Sequence, residues 1–173
     1  MNKLTLTPLL KGLATGSIMV ALTLWLYYKK VPVNSGSQYL VYFIYAAGII
    51  WTLVGYYLSP GYSGRFVELF GQGFRCFIIV TLIMVAFTAV FTKMHPEFAE
   101  ESARYYREEL VKEKNKTPAE IEADVLRYKK QYTTALVSTA IFGYLLVGVV
   151  FTLVTAGLLL LILLLIPLLT RRK

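Results

Sequence analysis

The sequence predicts an all-α integral membrane protein, with four transmembrane helices and a charged extramembrane helical hairpin between spans three and four. Three observations carry this. Of 173 residues, 57% are apolar and only 16% charged, against about 45–50% and about 25% in soluble domains. The apolar residues arrive in four long blocks free of Asp, Glu, Lys, Arg and His, and about 20 such residues cross a hydrocarbon core about 30 Å thick. The charges gather instead in residues 93–130, which hold nine basic and nine acidic side chains. A soluble enzyme is excluded.

The first span is expected over about residues 9–28. Lys3 and Lys11 ahead of an apolar run resemble a secretory signal, but the run is long and ends in Tyr27-Tyr28-Lys29-Lys30 without a small-residue cleavage site. It therefore reads as a retained signal anchor. Pro32, Asn34 and Gly36 give the following loop its turn chemistry. The second span is expected over about 38–58 and stops at Ser59-Pro60-Gly61, which cannot continue a helix. Phe66, Leu69, Phe70, Gly73 and Phe74 fall at helical spacing, the pattern of an interfacial amphipathic turn. The third span follows over about 74–92, with Arg75 placed to snorkel.

Residues 93–132 read as the hairpin. His95-Pro96-Glu97 opens its first helix, and Thr117-Pro118-Ala119-Glu120 opens the second, with Thr as N-cap, Pro at the first position and Glu closing a capping box. Ala99, Ala103, Tyr106 and Leu110 repeat at the same spacing as Ile121, Val125, Tyr128 and Tyr132, the pattern of two antiparallel helices sharing one seam. Glu100–Arg104 and Glu108–Lys112 are favourable i,i+4 pairs. From Thr133 to Thr170 no Asp, Glu, Lys, Arg or His occurs. Residues 133–173 are read as a long final helix, continuous with the hairpin and ending near Pro167, followed by a basic tail. Residues 1–92 carry the other three spans.

Because residues 93–130 cancel, the net charge of +8 comes from nine other basic residues against Glu68. Those nine flank the spans, where they orient the chain and meet anionic headgroups, and no continuous basic patch remains for nucleic acid. Cys76 and His95 are each the sole residue of their kind, which excludes an intramolecular disulfide and multi-histidine or cysteine metal sites. No cofactor is expected. No span carries an ionisable group near its centre, as proton-coupled transporters, pumps and voltage sensors do. Tyr27, Tyr28, Tyr39, Tyr56, Tyr57 and Tyr62 lie near span ends and read as an aromatic belt.

Four sets of residues remain as candidates. Gly12 and Gly16, and the stripes Ala135, Thr139, Gly143 and Gly148, Thr152, Ala156, are small residues that let helices approach in lipid. Tyr105, Tyr106, Tyr128 and Tyr132 are candidates for partner docking, and Arg65 and Arg75 for lipid headgroups. Glu68, Gln72, Arg75, His95 and Glu97 cluster near the ends of the third span. A membrane thickness separates the first three from the last two, so no catalytic set assembles and the residues read as caps and snorkelling charges.

Phe70-Gly71-Gln72-Gly73-Phe74 entering a span, His95-Pro96-Glu97-Phe98 after it, and Pro118-Ala119-Glu120-Ile121-Glu122 in the charged insert resemble domain of unknown function 4199. That family comprises small bacterial membrane proteins with four predicted spans and a charged insert before the last. The resemblance covers nearly the whole chain, most clearly residues 61–155. It implies this architecture in a bacterial cytoplasmic membrane and carries over no site residues. It also implies relatives encoded near a polyprenyl-phosphate glycosyltransferase.

The expected function is a non-catalytic accessory or scaffold subunit that docks another membrane protein, or a second copy, through the hairpin and the small-residue helix faces. Membrane lipids are the other expected partner. The alternatives are assistance to lipid-linked sugar chemistry through Arg65 and Arg75, and an oligomeric channel for a small solute. The basic residues Lys3, Lys11, Arg65, Arg75, Arg171, Arg172 and Lys173 share one side and place the termini in the cytoplasm, with the hairpin in the periplasm.

Overall fold

A computed structural model describes residues 7–31, 36–113 and 115–170, and all its regular structure is helical. The helices are α1 (Pro8–Tyr28), α2 (Gln38–Tyr57), α3 (Phe66–Met94), α4 (Glu97–Glu113) and α5 (Pro118–Thr170). Four of them, all except α4, are long and apolar enough to cross a membrane. Their large apolar side chains are widely exposed, including Phe43 at 71%, Leu82 at 60% and Leu146 at 67%. So much bare hydrocarbon belongs against lipid rather than water. Lys3, Arg171, Arg172 and Lys173, on which the orientation partly rests, and Pro32 and Asn34 of the first loop lie outside the described residues.

Local chemistry sets the helix ends. Thr7 caps α1, its Oγ1 accepting from the Leu10 N–H, and Pro8 takes the first position, where its missing N–H costs nothing. At the other end the Lys30 N–H reaches the Tyr27 carbonyl and the Val31 N–H reaches that of Leu26, the paired bonds of a Schellman cap. Lys30 consequently stands at φ +51°, a conformation usually left to glycine. The third span starts earlier than hydropathy indicates, at Phe66 instead of about residue 74. Glu68 makes this possible: its carboxylate accepts from the Ser63 N–H and hydroxyl and from Arg65, which satisfies the approach to the helix. The expected amphipathic turn is thus the first part of α3. Thr117 and Glu120 form the capping box that opens α5, with the Thr117 N–H 2.8 Å from the Glu120 carboxylate. α5 then runs 53 residues, about 80 Å, and continues past Pro167 to Thr170.

The chain divides into two compact units. One comprises residues 1–84 and 143–173, and the other Val85–Phe142. The first is held by close helix contacts around Tyr45, Ile49, Leu53, Phe77 and Val80, all fully buried or nearly so. The Tyr45 hydroxyl donates to the Tyr144 carbonyl across 3.0 Å, and the two rings meet edge to face. In the second unit α4 lies against the first turns of α5. Ala103, Leu110 and Ile121 are buried there, and the Tyr106 and Tyr128 rings stack at 4.6 Å. Ion pairs Arg107–Glu122 and Lys129–Glu100 cross between the two helices. Glu100 therefore pairs with Lys129 on the neighbouring helix and not, as its spacing suggested, with Arg104 on its own.

Candidate functional site

The most unusual side chain in the first unit is Lys11, in the opening turns of α1. It is only 8% exposed. Its ammonium donates to the Trp51 carbonyl at 3.4 Å and lies 5.1 Å from the centre of the Trp51 ring, within cation–π range. Gly55, one helical turn beyond Trp51, makes the room, since a Cβ there would stand 2.4 Å from Lys11 Nζ. Around this ammonium opens a cleft of about 580 Å³, lined by Thr7, Pro8, Lys11, Trp51, Thr52, Gly55, Tyr56, Ser59, Pro60, Gly61 and Gln72. Thr7 and Gln72 supply a hydroxyl and an amide able to donate to an anion, whereas the Ser59 hydroxyl donates to the Tyr56 carbonyl and the Tyr56 hydroxyl to the Glu68 carboxylate. Deeper in the unit, Thr52 Oγ1 lies 3.3 Å from the buried thiol of Cys76.

The small residues divide by position. A Cβ on Gly12 would lie 2.7 Å from the Cys76 carbonyl oxygen, and one on Gly16 would meet Ile83, so α1 presses directly on α3. A Cβ on Gly148 would strike Phe77 and the Tyr45 hydroxyl, and Thr152 sits fully buried against Gly73 with Ala156 buried one turn on. The residues of the other stripe show no such contact: Ala135 and Thr139 are exposed, and a Cβ on Gly143 would meet nothing within 4 Å.

The candidate tyrosines divide too. Tyr106, Tyr128 and Tyr132 are half-buried, with Tyr128 stacked on Tyr106 and 6.2 Å from Tyr132. Tyr105 is 58% exposed. The two arginines do not converge. Arg65 is engaged by Glu68 at 2.6 Å, while exposed Arg75 stands nine residues into α3, about 14 Å further along the axis. His95 Nδ1 lies 2.7 Å from the Glu97 carboxylate. The backbone N–H of Glu97 and that ring together hold the carboxyl below the usual carboxylate range. Asp124 beside Lys116 raises the lysine's pKa in turn. Among the described residues no group of three His, Cys, Asp or Glu side chains is arranged to hold a metal.

Sequence reasoning placed Lys11 among the basic residues flanking the first span and missed its burial. The one available signal was the Lys11-Gly12 pair opening an apolar run, which is common to snorkelling lysines. No curated protein and no solved structure matches the chain. Residues 11–160 do match a family described as protein of unknown function (DUF4199), so the chain, a multi-pass membrane protein by its four apolar helices, belongs to that family.

Proposed function

We propose that this protein is a non-catalytic accessory subunit of a bacterial cytoplasmic membrane assembly, docking a membrane partner through a charged hairpin formed by α4 and the first turns of α5. The observation behind this reading is the self-sufficiency of the unit Val85–Phe142. It has its own buried residues, ring stack and cross-helix ion pairs, and it leaves further side chains exposed on its outer surface. Tyr105, Val111 and Leu126 are more than half exposed on that surface, amid charged neighbours. Aromatic side chains in such settings supply contact area at low entropic cost. The exposed stripe of Ala135 and Thr139 adds a face along which a second helix can approach. Arg171-Arg172-Lys173, which abut the last span without acidic company, favour termini in the cytoplasm and the hairpin in the periplasm under the positive-inside rule.

The docking role falls to Tyr105 rather than to Tyr106, Tyr128 and Tyr132, which are engaged with one another. Assistance to lipid-linked sugar chemistry through Arg65 and Arg75 has less support, because Arg65 is already paired. The test is affinity purification from native membranes of the wild type and of a Tyr105→Ala, Val111→Ala, Leu126→Ala triple variant. A partner at fixed stoichiometry that the variant loses is the expected result. A partner retained unchanged would remove the hairpin from the reading.

A further inference from the structure

Among the described residues nothing near Lys11 balances its charge. Its ammonium has three protons to donate but, among the described residues, one acceptor, the Trp51 carbonyl at 3.4 Å, which also closes a turn of α2. Among the described residues no carboxylate lies within ion-pair distance of it. The carboxylate of Glu68 is taken by Arg65, Ser63 and the Tyr56 hydroxyl. A lysine more than nine-tenths buried is costly unless an anion meets it, and this one lines an open cleft whose walls add hydroxyl and amide groups.

Trp51 also lines a second concavity. An apolar groove of about 690 Å³ follows α2 past Tyr39, Phe43, Ala47, Ile50 and Val54, with Phe151 of α5 on its far wall. From Tyr39 to Val54 is fifteen residues, about 22 Å of helix. A cleft with an unbalanced cation and a groove of bare hydrocarbon thus share a single side chain, and the only kind of molecule that satisfies both is an amphiphile with an anionic head.

We propose that cleft and groove together bind one phosphate-bearing lipid. Its phosphate oxygens accept from Lys11, the Thr7 hydroxyl and the Gln72 amide. Its chain lies along α2 from Val54 towards Tyr39, and the Trp51 ring covers the junction. Gly55 keeps the ammonium in place by leaving it space. The site is independent of partner docking, since every residue in it belongs to the other unit.

Trp51 serves as the reporter. Trp25 is the other tryptophan, so the full-length Trp25→Phe protein is reconstituted into phosphatidylcholine vesicles, and quenching is followed as brominated-chain phosphatidylglycerol or brominated-chain phosphatidylcholine is added. Phosphatidylglycerol should reach half-maximal quenching at least about fivefold lower in mole fraction, the factor one lysine contributes at a membrane surface. Lys11→Met should abolish the preference and Lys11→Arg keep it. Gly55→Ala, which displaces only the end of a flexible side chain, should reduce it. Ala47→Phe, which fills the groove, should weaken quenching by both lipids alike. Equal quenching of the Trp25→Phe protein by the two lipids overturns the proposal, whatever becomes of the variants. So does relief of quenching by millimolar glycerol phosphate, which would mark a site for a free anion.

Discussion

Replacing Gly12 by alanine tests how tightly α1 is seated on α3. The new Cβ would stand 2.7 Å from the backbone carbonyl oxygen of Cys76 and 3.1 Å from Ile79 Cβ, where ordinary contact begins near 3.4 Å. About 0.7 Å must therefore be found by moving one helix, because a backbone atom cannot rotate away as a side-chain tip can. Overpacking of this kind costs about 1–3 kcal/mol. Alanine's advantage over glycine in a helix returns at most about 1 kcal/mol. With the full gain returned, the net expectation is a loss of up to about 2 kcal/mol. Gly143→Ala is the matched control: its Cβ meets nothing within 4 Å, so only the helix-propensity gain remains and the sign reverses. Thermal or denaturant unfolding of both variants in mild detergent, followed by helical circular dichroism, reads the difference. A Gly12→Ala protein stabilised as much as Gly143→Ala would refute the close α1–α3 contact. Equal destabilisation by the two substitutions would refute the division between packed and open small residues.

Other outcomes follow from the same geometry. Lys30→Gly should stabilise the end of α1 by about 1 kcal/mol, because glycine takes the left-handed conformation without the Cβ penalty; a drop in melting temperature would contradict the Schellman cap. Thr117→Ala should cost about 1 kcal/mol by breaking the capping box at α5, as seen in unfolding of the full chain. Tyr128→Ala should destabilise the second unit by about 0.5–1.5 kcal/mol from the lost stack on Tyr106 alone, whereas exposed Tyr105→Ala should change stability by less than about 0.5 kcal/mol. The Glu97 carboxyl is held below its ordinary pKa of 4.5. Its contribution to the α4 start is therefore complete above that value and lost as pH falls through the lower folded value. Glu97→Gln should remove this pH dependence from amide exchange at the α4 N-terminus, and an unchanged acid profile would assign it to other groups.

Much of the fold was legible because membrane helices announce themselves by length and composition, and helix ends by short-range chemistry. Thr117-Pro118-Ala119-Glu120 was readable as a capping box since all its partners lie within four residues. The two seam stripes, Ala103 and Leu110 against Ile121 and Tyr128, were readable because helical periodicity records which face is covered. The start of α3 was not, because Glu68 and Gln72 lower the local hydropathy while the Glu68 carboxylate secures the helix approach. Nor was the pairing of Glu100 with Lys129, since spacing along one helix says nothing about charges brought up by another. Small residues marked where helices can approach, but not that Gly148 does so while Gly143 is left open. The burial of Lys11 was the furthest from view. It depends on Gly55 being the residue opposite, forty-four positions along the chain, and a lysine near a span end looks the same whether it snorkels outward or turns inward.

The claim that the exposed face of α4 meets a partner is tested most directly by photocrosslinking in intact membranes. A photoreactive amino acid placed at Tyr105 should give one discrete adduct, whose mass and sequence identify a second membrane protein or a second copy. The same group at buried Leu110 should give no such adduct. Crosslinks from position 105 to lipid or to many unrelated proteins, with no discrete adduct, would contradict the accessory-subunit reading.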